Sequence, residues 1–380
     1  MRPENYQPVE HPSSEEYELY FGPNHPGIEG NYALKVRLTG DEIVGIKADG
    51  GYLHRGFEKI MEDRLWIQNV ALVPRICVPD PPPMEETYAR AVEMIGGLEI
   101  PERAQWIRAM ILEMSRICGH LFILGGTAAP IGQYSNMFWG ITDRDYFLDL
   151  FEALTGARIY HMFITPGGVR RDIPDGFLDR LTHLLDYLEA RLPEYDDLFF
   201  NNPVFLKRAE GIGAITQEQA LEWGVTGPNV RACGLALDVR RDDPYLIYDQ
   251  LEFDIPTETA GDVLARSLVR RSELIESIKI LRQIVQRLPQ IKGPIRCDLP
   301  NPLAWNLPKG DAYARTEAQK GELAFYAVST GGAKPWRVHV RGPSSMHAVQ
   351  VLEKLCLGGR IEDIALIMFS LDACPPEVDR

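Results

Sequence analysis

E-R-A-Q-W-I-R-A-M-I-L-E-M-S-R-I-C-G-H-L-F-I-L, residues 102–124, is the stretch that decides the fold. It follows Pro101, a residue suited to the start of a helix, and it sets Trp106, Met110, Met114, Ile117 and Leu121 three or four positions apart along one face. So long a helix with so apolar a face belongs in a core. The apolar run from Ile117 to Ile131 carries His120 and glycines, with Glu113 and Arg116 just before it, and is too short and too polar to span a bilayer.

Outward from that helix, three- and four-residue spacing of apolar positions predicts further helices over 58–74, 84–96, 143–156, 176–191 and 258–287. Residues 17–21, 32–38 and 43–48 alternate as strands, with G-D-E at 40–42 as a hairpin turn. A second hairpin is expected from 323–329 and 336–341 around G-G-A-K, followed by a helix over 345–357 and a short one over 361–369. The expected fold is α+β, mainly α: a central long-helix bundle with small antiparallel sheets. Residues 1–16, polar and Pro-rich, are expected to form an arm. Residues 17–380 are expected to form one domain, with a small β region (17–50), a helical bundle (58–290) and an α+β C-terminal region (310–380).

At 380 residues and 45% apolar content the chain has enough material for a real core. Its net charge of -14 excludes a nucleic-acid footprint at the whole-chain level. Six cysteines without C-x-x-C spacing, and an N-terminal stretch without an apolar signal segment, predict a reduced, cytoplasmic protein. Membrane association is then expected through partner subunits.

Two short segments rhyme: R-I-C-V-P-D (75–80), with Cys77 and Asp80, and L-D-A-C-P-P-E (371–377), with Cys374 and Glu377. Each is a Cys-x-x-acid pair in a proline-bounded turn, so both thiols are expected on fixed loops. Arg75 beside Cys77 is expected to favour the thiolate, the form that attacks a disulfide or polysulfide sulfur. Asp80 and Glu377 are candidates for delivering protons to a leaving sulfur, or for bonding their own loops. His25 and Glu29, in the turn G-P-N-H-P-G-I-E, form a second candidate proton-donating pair. Cys118, Cys233, Cys297 and Cys356 are read as packing. T-P-G-G-V-R-R-D-I-P (165–174) lacks the context of a phosphate loop and is read as a structural turn, and His54 and Arg55 as a loop-fixing pair.

A collinear set of blocks carries a resemblance: F-G-P-N-H-P-G-I-E-G (21–30), G-Y-L-H-R-G-F-E-K-I (51–60), T-P-G-G-V-R-R-D-I-P (165–174), E-G-I-G-A-I-T (210–216), G-V-T-G-P-N-V-R-A (224–232), K-G-E-L (320–323) and the ending S-L-D-A-C-P-P-E-V-D-R. Over 17–380 the chain resembles the D-subunit family of respiratory complex I (NADH dehydrogenase), itself related to the nickel–iron hydrogenase large subunit. The resemblance implies a hydrogenase large-subunit-like fold. It also implies that Arg75 and His120 lie against the last 4Fe-4S cluster, held by an adjoining iron–sulfur small subunit, where a charge or hydrogen bond tunes the cluster potential. Other peripheral-arm subunits, membrane-arm subunits and a place on the cytoplasmic face of the cell membrane follow from the same likeness.

Departures from the family pattern narrow the chemistry. The family's quinone loop has a second histidine where this chain has Glu29, a tyrosine where it has Val78 and an acid where it has Pro130. Val78 and Pro130 offer no side-chain donor to a quinone carbonyl. Hydrogenases hold their metals with two C-x-x-C pairs, and here an acid replaces one cysteine of each, so no nickel–iron centre is expected and no cofactor bound by this chain alone. R-I-C-V-P-D and L-D-A-C-P-P-E resemble instead the large subunit of membrane-bound sulfane sulfur reductase. That likeness implies reduction of polysulfide with electrons from ferredoxin, passed through iron–sulfur clusters in neighbouring subunits and coupled to ion pumping. The alternatives are the D subunit of a quinone-reducing NADH or ferredoxin dehydrogenase with an altered site, and a catalytically idle coupling scaffold. The separation of the Cys77 and Cys374 sulfurs discriminates, since sulfurs far apart cannot share one substrate.

Overall fold

The computed structural model of the chain describes residues 15–301 and 303–380. Nearly all of the expected N-terminal arm, residues 1–14, lies outside the described residues. The helices that position the site are α1 (Phe57–Asp63), α2 (Pro81–Gly96), α3 (Glu102–Ala128), α4 (Tyr134–Thr155) and α5 (Phe177–Tyr195), together with a long helix, Val263–Arg287. The protein has an α+β, mainly α fold.

Helix α3 runs through the centre and is buried on every side, not along one stripe. Trp106, Met110, Met114, Ile117 and Leu121 face the main apolar cluster as their spacing predicts. Helix α4 approaches closely at Gly140, where a Cβ would come within 2.5 Å of the Leu121 carbonyl oxygen. On its other sides α3 buries Arg108, Glu113, Arg116 and His120, and these are matched by charges from distant segments. Glu113 pairs with Arg240 at 3.1 Å, His120 with Glu273 at 2.8 Å, Arg231 with Glu273 at 2.7 Å and with Glu317 at 2.8 Å. Removing one partner of such a network strands the other without water.

Among the described residues three antiparallel sheets flank the helices. Strands β1 (Glu16–Phe21), β2 (Ala33–Thr39) and β3 (Glu42–Asp49) form the first in that order, with a bulge between Arg37 and Leu38. The two-residue strands β4 (Ile164–Thr165) and β5 (Gly168–Val169) form the T-P-G-G-V turn. Strands β6 (Lys309–Ala318), β7 (Gly321–Thr330) and β8 (Arg337–Arg341) form the third sheet, which packs with α1 and α2 into a second apolar cluster.

Several boundaries differ from the sequence-based expectation. The helix expected over 58–74 ends at Asp63, and short 3₁₀ turns at Gln68–Ala71 and Val73–Arg75 replace its second half; Pro74 has no N–H to continue an α ladder. Helix α4 begins at Tyr134, before the expected 143, and the long helix begins only after Asp262, whose side chain accepts from the Ala265 N–H. Strand β6 has no counterpart in the expectation: its inward positions include Ala312 and Ala314, and alanine gives little strand signal. Short helices at Pro203–Ala209 and Gln217–Glu222, the latter opened by a Thr216/Gln219 capping box, are likewise additions. Among the described residues no helix is long and apolar enough to cross a membrane.

Candidate functional site

The rhyming segments meet at the boundary between the two apolar clusters. Cys77 follows the 3₁₀ turn that ends at Arg75, and Pro79 and Asp80 lead from it into the three prolines that open α2. Cys374 stands at the N-cap position of the short helix Pro375–Asp379, its carbonyl accepting from the Glu377 N–H at 2.9 Å. Proline fixes φ at the first helical positions, so each thiol is carried on a stiff lead-in turn. Both sulfur atoms and a carboxylate oxygen of Glu377 lie within 4.8 Å of one another.

A residue that sequence reasoning does not single out completes the cluster. Lys320, in the tight turn joining β6 to β7, places its Nζ 2.7 Å from the Cys77 sulfur and 2.7 Å from Glu377 Oε2. Gly321 makes that turn possible, with φ of 135° and no room for a side chain: a Cβ there would come within 2.5 Å of Thr226 Oγ1. Asp80 holds the same turn from behind, accepting from the Gln319 N–H at 3.0 Å and from Ser115 Oγ at 2.6 Å. Glu377 is fixed by the Ser344 N–H, which donates to Oε1 at 2.9 Å, and Gly342 leaves the space it fills. The two acids therefore do different jobs: Glu377 touches the ammonium, whereas Asp80 positions the segment that carries it.

The thiols are electrostatically unequal. Burial pushes Cys77 well above the usual thiol range, while Cys374 is held below it, first by the Cys77 S–H that donates to its sulfur and further by Lys320. Of the two, Cys374 gives up its proton the more readily and is the better nucleophile. Burial works against the Lys320 charge, but Cys77, Glu377 and Cys374 outweigh it and keep the amine well above its ordinary range.

Cys374 forms part of the wall of a cleft of about 440 Å³, with Glu29, Val78, Pro79, Phe122, Ile123, Arg144, Phe369 and Asp372 among its other residues. Cys77 is fully buried behind it. Two carboxyls face the same space. Burial, then Asp372 and Cys374, pushes Glu29 well above the carboxylate range, and Glu29 Oε2 is shut from solvent without a hydrogen-bond partner. Asp372 is pushed up to about 6 by burial, against the pull of Arg270 and Lys320, and its backbone is left-handed at φ of 58°. Both are suited to hold a proton close to Cys374. Asp372 lies within L-D-A-C-P-P-E just before the thiol, and that proximity is the one signal for it in the sequence.

Other expected site residues lie elsewhere. His25 is on an exposed turn, its Nδ1 accepting from the Gly27 N–H at 3.1 Å and its ring edge-on to Phe21. Arg75 turns away from Cys77: it donates to the Ala71 carbonyl and lies over the Tyr160 ring, so the cation beside the thiol is Lys320. His120 reaches no surface of this chain. It is fully buried, with Nε2 on Glu273, and burial lowers its pKa to about 4. Of the altered quinone-contact positions, Glu29 and Val78 line the cleft and Pro130 does not.

The donor set does not fit a nickel–iron centre. Two thiolates stand where four are needed, and the Lys320 ammonium already satisfies both Cys77 and Glu377.

Comparison with known proteins shows the family. The family described as respiratory-chain NADH dehydrogenase, 49 Kd subunit, matches residues 130–305 and 303–380. The D subunit of NADH-quinone oxidoreductase from Thermosipho melanesiensis is 47% identical over 365 residues, covering 96% of this chain and 100% of that protein. The D subunit of F(420)H(2) dehydrogenase from Methanosarcina mazei is 38% identical, with 97% and 98% covered. A chain in the structure of the membrane-bound sulfane sulfur reductase, an archaeal respiratory membrane complex, superimposes with a TM-score of 0.94 at 46% identity, covering 98% of this chain and 100% of that one. The chain belongs to the 49 kDa, or D-subunit, family of complex I-like respiratory oxidoreductases.

Proposed function

We propose that this chain is the acceptor-reducing subunit of its complex and that the acceptor is sulfane sulfur, a polysulfide chain. The observation that carries this reading is the convergence of the Cys77 and Cys374 sulfurs within 4.8 Å, beside the Lys320 ammonium and at the wall of an apolar cleft. In the proposed chemistry the Cys374 thiolate attacks a terminal sulfur of Sₙ²⁻, forming the persulfide Cys374–S–S⁻ and releasing Sₙ₋₁²⁻. A proton from Glu29 or Asp372 converts the persulfide to Cys374–S–SH. Cys77 then attacks the Cys374 sulfur, its thiol proton passing to the carboxylate that has just given one up, which forms a Cys77–Cys374 disulfide and expels HS⁻. Two electrons and one proton restore the Cys374 thiolate and the Cys77 thiol, the electrons arriving one at a time from an iron–sulfur cluster in an adjoining subunit, with ferredoxin as the more distant donor and ion pumping in a membrane arm.

Replacing Cys77 or Cys374 by serine tests the proposal. Each variant complex should assemble yet lose polysulfide reduction, and normal turnover in both would overturn the reading. Quinone reduction is the second reading, favoured by the apolar cleft and by relatives whose names specify a quinone. It predicts inhibitor-sensitive quinone turnover that survives both cysteine replacements. On either reading the chain sits peripherally on a membrane complex, at its cytoplasmic face, and associates with an iron–sulfur small subunit and membrane-arm subunits.

A further inference from the structure

The cleft that Cys374 helps to line has one cationic side chain in its lining among the described residues, Arg144 on α4. That arginine has no hydrogen bond and no ion pair there, and its Nε is cut off from solvent without a partner. The Phe122 ring stands 5.5 Å from the guanidinium and offers only a π face. Carboxylates are not scarce in a chain with 54 acidic against 40 basic residues. Those on the same helix are committed elsewhere: Asp145, Asp149 and Glu152 all go to Arg158, and Asp143 goes to Arg191, Tyr187 and Tyr195. The two carboxyls in the cleft, Glu29 and Asp372, each keep a buried oxygen without a hydrogen-bond partner, so neither is spent on Arg144. A half-buried guanidinium that neither cleft carboxyl engages is incomplete, because such a group favours a charge-assisted, often bidentate partner.

We infer that Arg144 is the anion anchor of the cleft, and that the substrate class it selects is a sulfur chain ending in a negative charge. The inference rests on the sulfur reading of the site. One end of the chain, a terminal S⁻, lies against Arg144, while the apolar walls formed by Val78, Pro79, Phe122 and Ile123 accommodate its uncharged inner sulfurs. The other end then presents to the Cys374 sulfur, which lines the same cleft. Arg144 is a binding and positioning residue in this scheme; the bond chemistry stays with the cysteines.

The assembled complex with Arg144→Gln and with Arg144→Lys provides the test, with two acceptors: tetrasulfide dianion and uncharged dimethyl trisulfide. R144Q should raise KM for tetrasulfide about tenfold or more beyond any rise for the trisulfide, as expected for loss of a hydrogen bond to a charged group, and R144K should recover part of it. Equal rises for both acceptors, or none for the dianion, would overturn the inference. Equilibrium binding of thiosulfate, a sulfane-sulfur dianion, is measured by calorimetry on the same proteins without turnover. Binding to the parent that R144Q loses supports the anchor, and binding that is alike in both, or absent from both, overturns it. If thiosulfate binding depends on Arg144 while the parent reduces neither acceptor, the sulfur reading fails and the anion site stands.

Discussion

The Lys320 ammonium lies 2.7 Å from the sulfur of Cys77, although the two residues are separated by most of the chain and by the divide between sheet and helix. The contact gives the cysteine pair a fixed positive neighbour where a metalloenzyme would use an ion. Burial raises both thiols; the Cys77 S–H and, after it, the ammonium draw Cys374 back below its ordinary range.

Replacing Lys320 by methionine, which keeps the stem and removes the charge, should slow polysulfide reduction about 10- to 100-fold, the range expected for a lost hydrogen bond to a charged group. The same variant should gain a metal site, since Cys77, Cys374 and Glu377 then present three ligand atoms without a resident cation. Titration with Co²⁺ reads this as a sulfur-to-metal charge-transfer band in K320M that the parent lacks. A band of equal strength in the parent would show that the amine does not exclude metals.

Asp372, pushed up to about 6 by burial, holds its proton below that pH and loses it above. A donor of this kind makes the rate of S–S reduction fall as pH rises through about 6. Asp372→Asn removes the titrating group, so that limb of the pH–rate profile should disappear along with much of the rate. A profile in D372N that keeps the same limb would assign the proton to another group, with Glu29 the next to replace.

His120 gives a stability prediction with a definite sign. Its pKa is lowered to about 4 in the fold, against about 6.5 in an unfolded chain. Between those values the unfolded state binds more protons, so folding stability rises with pH and is lost as pH falls from about 6.5 to about 4. At about 1.4 kcal/mol for each tenfold change in proton affinity the loss is at most about 3.5 kcal/mol. His120→Gln should flatten this part of the stability curve in denaturant titrations at several pH values. Glu273→Ala, which removes the partner of His120 and one of the carboxylates that hold Arg231, should cost about 3–5 kcal/mol at neutral pH.

The bundle and both thiols are legible in the sequence because those signals are local. Trp106 to Leu121 repeat at helical spacing, and each Cys-x-x-acid segment is complete within six or seven residues. Lys320 is hidden because its role depends on a chain reversal distant in sequence, after a strand whose alanines give little pattern, and Asp372 because its direction is set by a left-handed helix end that spacing does not show. Arg75 draws attention by adjacency, yet neighbours in a turn point apart, and the charge that reaches Cys77 comes from residue 320. Burial of His120 and its partners is illegible for a related reason: Glu113, Arg116 and His120 look like the polar side of an amphipathic helix until Arg231, Arg240 and Glu273 arrive from elsewhere.

The most direct measurement is mass spectrometry of the Cys77→Ser complex after brief exposure to polysulfide without reductant. With the resolving thiol gone, Cys374 should carry one added sulfur as a trapped persulfide, and the parent should instead show a Cys77–Cys374 disulfide. Unmodified Cys374 in the variant, together with reduced cysteines in the parent, would contradict a thiol-based reduction at this site.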